Sequence, residues 1–192
     1  MEDRNNKRRV ILVTDGDGIA KKAVETAALR IGGRCISKSA GNPTPLSGKK
    51  IIELIKQAPY GPVVVMVDDK GNTGMGNGEK VIRDLVRSSE IEILGVIAVA
   101  SNTEGVKGVS IDFSITRDGN IVKSTVDKCG NISGEGKING DTVDILESVD
   151  IPVIVGIGDP GKMDGKDCCG KGAPIITKAM KEIIERSSMH MH

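Results

Sequence analysis

The stretch ILVTDGDGIAKKAVETAAL (residues 11–29) runs from a strand through a sharp turn into a helix, and its reading decides the fold. The run RVILVT at 9–14 is short, apolar and β-branched, which predicts a buried strand. Ala20, Ala23, Val24, Ala27, Ala28 and Ile31 then fall on one helical stripe, and Gly32 with Gly33 ends it. Between strand and helix, Asp15 and Asp17 stand among glycines. A phosphate-binding loop would offer amide donors and a lysine there; two carboxylates repel a phosphate unless a cation lies between them.

The same alternation continues outward. RCISKSA (34–40) predicts a second strand, and GNPTPL after it carries two prolines that forbid helix or ladder. Ile51, Ile52, Leu54 and Ile55 mark a helix after Gly48. GPVVVMV (61–67) is continuously apolar, as a central parallel strand buried on both faces must be. Val81, Ile82, Leu85 and Val86 define a third helix, and IEILGVIAVAS (91–101) another buried strand. This order predicts an α/β fold: a three-layer, mostly parallel sheet, Toprim-like or doubly wound, with right-handed crossovers.

The middle of the chain breaks the rhythm. Val109, Ile111, Phe113 and Ile115 alternate, RDGN turns, and IVKSTV returns, which predicts an added β-hairpin at 109–126 on the sheet edge. CGNISGEGKING (129–140) reads as a glycine-rich loop, and Asp141 as the cap of a short helix reaching Val149. IPVIVGIG (151–158) is the last core strand. A closing helix buries Ile175, Ile176, Ala179, Met180, Ile183 and Ile184, with Pro174 in its first turn. The expected organisation is a disordered basic N-terminus (1–8), one α/β domain (9–187) and a frayed tail (188–192).

Composition narrows the function. The chain has 192 residues, a formal charge of +1 with both signs interspersed, and 1% aromatic residues. That argues against a nucleic-acid partner, which calls for a basic footprint or aromatic platforms on which bases stack. No apolar run approaches the roughly 20 residues of a membrane span, and the polar N-terminus is unlike a signal peptide, so a soluble protein is expected. Cys35, Cys129, Cys168 and Cys169 form no CxxC, and read as buried or idle thiols of a reducing compartment. His190 and His192 lie in the tail, which leaves no Ser-His-Asp or Cys-His arrangement.

Three predicted strands end in acidic or glycine-rich loops that open helices: Val13 into TDGDG, Val67 into DDKGNTGMGNG, and Val155 into GIGDPGKMDGKDCCGKG. In an open parallel sheet those ends share the edge where ligands bind. Asp15, Asp17, Asp68 and Asp69 are therefore the candidate ligands of a hard cation, Ca²⁺ or Mg²⁺, with Asp159 and then Asp164 or Asp167 nearby. Asp and Gly are equally the ordinary residues of helix caps and turns, so capping and solvation stand beside that reading. In the last loop Gly156, Gly158, Gly161 and Lys162, with Lys166 and Lys171, are candidates for holding an anion, although no Walker loop is present.

VILVTDGD, KAVETAA, IGGRCISKSAGNPTP, PYGPVVVMVDDKGNTGMGNGEKVI and ILGVIAVASNT together resemble the stage V sporulation protein AE family, the soluble component of the SpoVA set of spore-forming bacteria, over roughly residues 8–187. The resemblance implies a role in calcium dipicolinate uptake into the developing spore and release at germination. It also implies other SpoVA proteins as partners, and synthesis in the forespore followed by peripheral attachment to the spore inner membrane. The order VTDG, SAGNP, VMVDD is more distantly similar to a Toprim domain, a nuclease and nucleotidyl-transferase fold. There Asp15-Gly16 would match the Glu-Gly turn and Asp68 the first metal-binding Asp, while Lys70 falls at the second. A lysine there removes a ligand and adds a positive charge, which puts two-metal chemistry in doubt. The expectation is a non-enzymatic accessory protein that binds a ligand or docks a partner at the acidic edge. A Toprim-type metal-dependent nuclease or phosphoryl transferase is the alternative, and an exposed apolar face would make the chain a homodimer.

Overall fold

The computed structural model describes residues 7–71, 75–101, 107–134, 136–140 and 142–189. The chain opens with β1 (Arg8–Val13), α1 (Gly18–Arg30), β2 (Arg34–Cys35), α2 (Gly48–Gln57), β3 (Val63–Met66), α3 (Asn77–Arg87) and β4 (Ile91–Val99). Short strands follow: β5 (Val109–Ser110), β6 (Phe113–Ile115), β7 (Ile121–Val122), β8 (Thr125–Val126), β9 (Ile132–Gly134) and β10 (Lys137–Ile138). The last core elements are β11 (Ile154–Ile157) and α4 (Pro174–Met189). The main sheet has seven strands in the order β2-β3-β1-β4-β11-β6-β7, parallel except for β7. The fold is α/β as its sequence rhythm predicts.

Strand alternation sorts the core into two layers. Val10, Leu12, Val63 and Val65 face α2 and α3, where Ile51, Ile55, Ile82 and Leu85 are fully buried. Ile11, Val13, Val64 and Met66 face α1 and α4, through Ala23, Val24, Ala27, Ile176, Ala179 and Ile183. Each buried Val, Leu, Ile or Met among them contributes about 2 kcal/mol by leaving water, and each alanine less. A core with this few aromatic rings depends on many of them.

The handedness of the crossovers then places the site. From β1 the chain moves two positions toward one edge to form β2; from β3 it moves two positions the other way to form β4. Right-handed connections that travel in opposite directions must cross opposite faces of the sheet, so α1 and α3 leave neighbouring strands on opposite sides. The turns after β1 and β3 therefore part at a topological switch point.

Four expectations need correction. The strand at 34–40 stops at Cys35, and Ser37–Ser39 turn into a 3-10 helix. The Ser39 hydroxyl donates to the Ile36 carbonyl (2.7 Å) and accepts from the Met66 amide (2.9 Å), taking the place of a ladder partner. The hairpin at 109–126 is smaller: β6 and β7 form it at the sheet edge, and β6 also runs parallel to β11. Its outer segments leave, β5 to pair with β10 and β8 with β9. The helix before Val149 is a 3-10 helix at Asp144–Ser148; its expected cap, Asp141, lies outside the described residues. Ser188 and Met189, expected to fray, belong to α4, and the rest of the tail lies outside the described residues.

Candidate functional site

The four aspartates chosen as cation ligands do stand at the carboxyl ends of the two neighbouring strands β1 and β3. Asp68, 4% exposed, crosses the switch point: its Oδ2 accepts from the Gly16 amide (3.2 Å) and its Oδ1 from the Lys70 amide (2.8 Å). Its backbone is clasped by Thr44, whose Oγ1 accepts from the Asp68 amide (2.7 Å) and whose amide donates to the Asp68 carbonyl (2.8 Å). Gly16 is required by this closeness, since a Cβ there would stand 2.5 Å from the Gly41 carbonyl oxygen and 3.1 Å from Asp68 Cβ.

Asp69, 1% exposed, works on the opposite face. Its carboxylate accepts from the amides of Gly78 (2.6 Å) and Glu79 (3.1 Å) in the first turn of α3. The residue at the cap position of that helix is Gly76, which has no side chain to cap with. Its missing Cβ is what admits the carboxylate, because a Cβ at Gly76 would collide with Asp69 Oδ1. Asp69 therefore caps α3 from outside the helix. Burial, then Asp69 and Asp144, hold the neighbouring Glu79 carboxyl above its ordinary range.

On the β1 side, Asp17 is the local cap of α1, accepting from the amides of Ile19 and Ala20, both at 2.8 Å. Asp15 accepts from the Asp17 amide (3.1 Å). Burial pushes its carboxyl up to about 8, the charge of Asp17 adds to that, the Asp17 amide partly offsets it, and Asp159 and Asp68 raise it further. At neutral pH Asp15 is mostly protonated, so the turn holds fewer negative charges than its sequence shows.

The loop after β11 is largely self-satisfied. Gly156 lies within β11, where a Cβ would stand 2.7 Å from Ser114 Oγ, and at Gly158 a Cβ would stand 2.6 Å from the Gly130 amide nitrogen. These two glycines are explained by packing. Asp159 turns the loop by accepting from the Gly161 amide (2.7 Å), and Lys162 Nζ lies 3.7 Å from its carboxylate. Ion pairs Arg117–Asp164 (2.6 Å) and Lys166–Asp118 (3.0 Å) tie the loop to the β6–β7 turn. Asp167 is fully buried and caps α4 through the amides of Ile175 (2.7 Å) and Ile176 (3.1 Å); burial lifts its carboxyl to about 6 against those bonds.

Among the described residues, no three His, Cys, Asp or Glu side chains gather as a metal site. The edge carries acidic turns braced by amides, and Ile19, 56% exposed, lies beside Asp159 against Gly161. Sequence reasoning singled out neither Ile19 nor Thr44. Ile19 breaks the alanine-rich stripe of α1 one residue before it begins, which is the signal that could have found it; Thr44 gave none, since its partner lies 24 residues away.

Compared with known proteins, residues 9–187 match the SpoVAE family model, described as Stage V sporulation protein AE1. No curated protein and no solved structure matches the chain.

Proposed function

The chain belongs to the SpoVAE family of stage V sporulation proteins, which gives it a role within the SpoVA system of sporulation, and from that premise we propose that it is a non-enzymatic accessory of calcium dipicolinate movement that docks another SpoVA protein at its acidic carboxyl edge. The observation that carries this reading is the build of the edge: an exposed apolar side chain, Ile19, whose amide donates to Asp17 and which shares the space over Gly161 with Asp159, with Asp15 close to both carboxylates. An apolar anchor inside a polar rim is how protein interfaces are built. The fitting partner surface offers an apolar socket flanked by lysine or arginine.

The carboxylate oxygens support docking over catalysis. Asp17, Asp68 and Asp69 each receive two backbone amides: Asp17 and Asp68 brace the turn that presents Ile19, and Asp69 caps α3 on the opposite face. Two-metal phosphoryl transfer needs carboxylates aimed at shared ions, and exposed Lys70 stands where its second aspartate would be. Among the described residues no helix is long and apolar enough to cross a membrane, which suits an accessory that reaches the spore membrane through its partners.

The test is co-purification from sporulating cells. Wild-type protein is expected to bring down other SpoVA proteins, and Ile19→Arg, at a side chain that supports no core, to lose them while melting at the same temperature. Equal recovery with Ile19→Arg would remove the carboxyl edge as the docking surface.

One observation favours a second reading. Asp17, Asp68 and Asp159 crowd around Asp15, and a divalent cation would neutralise them. On that reading Ca²⁺ or Mg²⁺, alone or with dipicolinate, occupies the same edge, and Lys162, 3.7 Å from the Asp159 carboxylate, meets the dianion.

A further inference from the structure

The opposite end of the molecule has a different character. Helices that follow parallel strands run back against them, so the C-termini of α1 and α4, which pack side by side, lie at the amino edge of the sheet. Between them is a groove of about 730 Å³ lined by Arg30, Ile31, Lys181, Ile184, Glu185 and Met189. Leu29, beside it in the chain, and Met189 are each 67% exposed, above every other large apolar side chain among the described residues.

The charges on this face point to its occupant. Glu182 and Arg186 of α4 pair with each other at 3.1 Å, and Arg186 lies 4.1 Å from the centre of the Phe113 ring. Lys181 and Glu185, one turn apart and lining the groove, make no ion pair among the described residues. With Arg30 the groove carries two bases and one acid, so an anionic membrane would leave Glu185 against like charge and a cationic partner would leave Arg30 and Lys181 so. A second α4 laid antiparallel across a two-fold axis between Lys181 and Glu185 satisfies both: Lys181 meets Glu185 of the copy, and Glu185 meets its Lys181. Isologous interfaces require this reciprocity.

We propose that the groove between the ends of α1 and α4 is the interface of a two-fold symmetric dimer of this chain, closed by reciprocal Lys181–Glu185 pairs around Ile184. The apolar surface of Leu29, Ile31 and Met189 is covered beside that axis. The arrangement leaves both carboxyl edges exposed at opposite ends, so it is independent of the docking reading above.

Sedimentation equilibrium on the full chain, from micromolar to several hundred micromolar, tests it. The wild type is expected to show a species of twice the 20.2 kDa chain mass. By symmetry each single charge reversal, Lys181→Glu or Glu185→Lys, creates two like-charge contacts, so each is expected to weaken the dimer about 10-fold or more. The double reversal restores opposite charges across the axis and should recover wild-type affinity. Circular dichroism of every variant should superimpose on the wild type, because both side chains face solvent in the monomer. A monomer at every concentration would overturn the proposal. So would a dimer indifferent to the single reversals, or a double variant that stays monomeric while folded.

Discussion

The turns after β1 and β3 look alike in sequence, each a strand followed by aspartate and glycine, yet the structure uses them differently. Asp68 and Asp69 are buried, at 4% and 1% exposure, and their carboxylates hold amides from other parts of the chain. Asp15 and Asp17 are only partly buried and bond within their own turn and the start of α1. The cause is topological. The β3 turn is clasped by Thr44 and reaches the first turn of α3, while the carboxylates of the β1 turn are taken up by its own backbone and the start of α1. The same residue type at neighbouring strand ends thus becomes a brace in one place and a surface in the other.

That contrast can be broken by substitution, and the largest loss of stability is expected at Asp69. Asp69→Ala strands two amides of α3 in a buried setting, with an expected loss of about 3 kcal/mol in urea unfolding. A loss below that of an exposed cap would break the contrast. Asp68→Ala releases the Gly16 amide and should cost about 2 kcal/mol. Hydrogen exchange should then quicken at Gly16 while the amides of α3 stay protected; quickening in α3 alone would assign the brace to Asp69.

Asp15 sharpens the comparison through pH. Its folded carboxyl is raised to about 8 from an ordinary 3.8, so the folded state holds a proton that the unfolded chain releases. Its contribution is full below about 4 and is lost as pH rises through about 8, because there the unfolded state binds fewer protons than the native state. Asp15→Asn is expected to match the wild type near pH 4 and to exceed it progressively as pH rises, by several kcal/mol at pH 9. A difference between the two that does not change with pH would contradict the burial and crowding assigned to Asp15. The smallest effect is expected at Asp17→Ala, about 1 kcal/mol for a solvent-facing cap of α1, read from thermal unfolding.

These same residues mark what the sequence made legible. The helical stripes of α1, α2, α3 and α4 and the apolar runs of β1, β3, β4 and β11 were readable because burial imposes a period on side chains. The acidic edge was readable as a place, since parallel strands bring their carboxyl ends together. The job of each carboxylate was readable only where its partner is local. Asp17 bonds two and three residues ahead, a cap pattern visible in the sequence. Asp69 reaches 9 and 10 residues ahead, Asp167 reaches 8, and Asp68 reaches 52 residues back to Gly16. Tertiary packing alone sets those distances. The early end of β2 has the same origin, because the Ser39 hydroxyl replaces a ladder partner through a contact to Met66, 27 residues away. The β5–β10 and β8–β9 pairs are only two or three residues deep, too short for any period to announce them, and β5 and β10 are also far apart in the chain.

Whether the carboxyl edge is a braced docking surface is tested most directly by calorimetric titration with Ca²⁺ and Mg²⁺, each with and without dipicolinate. A braced docking surface gives flat traces for the wild type and for Asp15→Asn alike. Saturable heat in the wild type that disappears in Asp15→Asn would contradict it and make the edge a cation site.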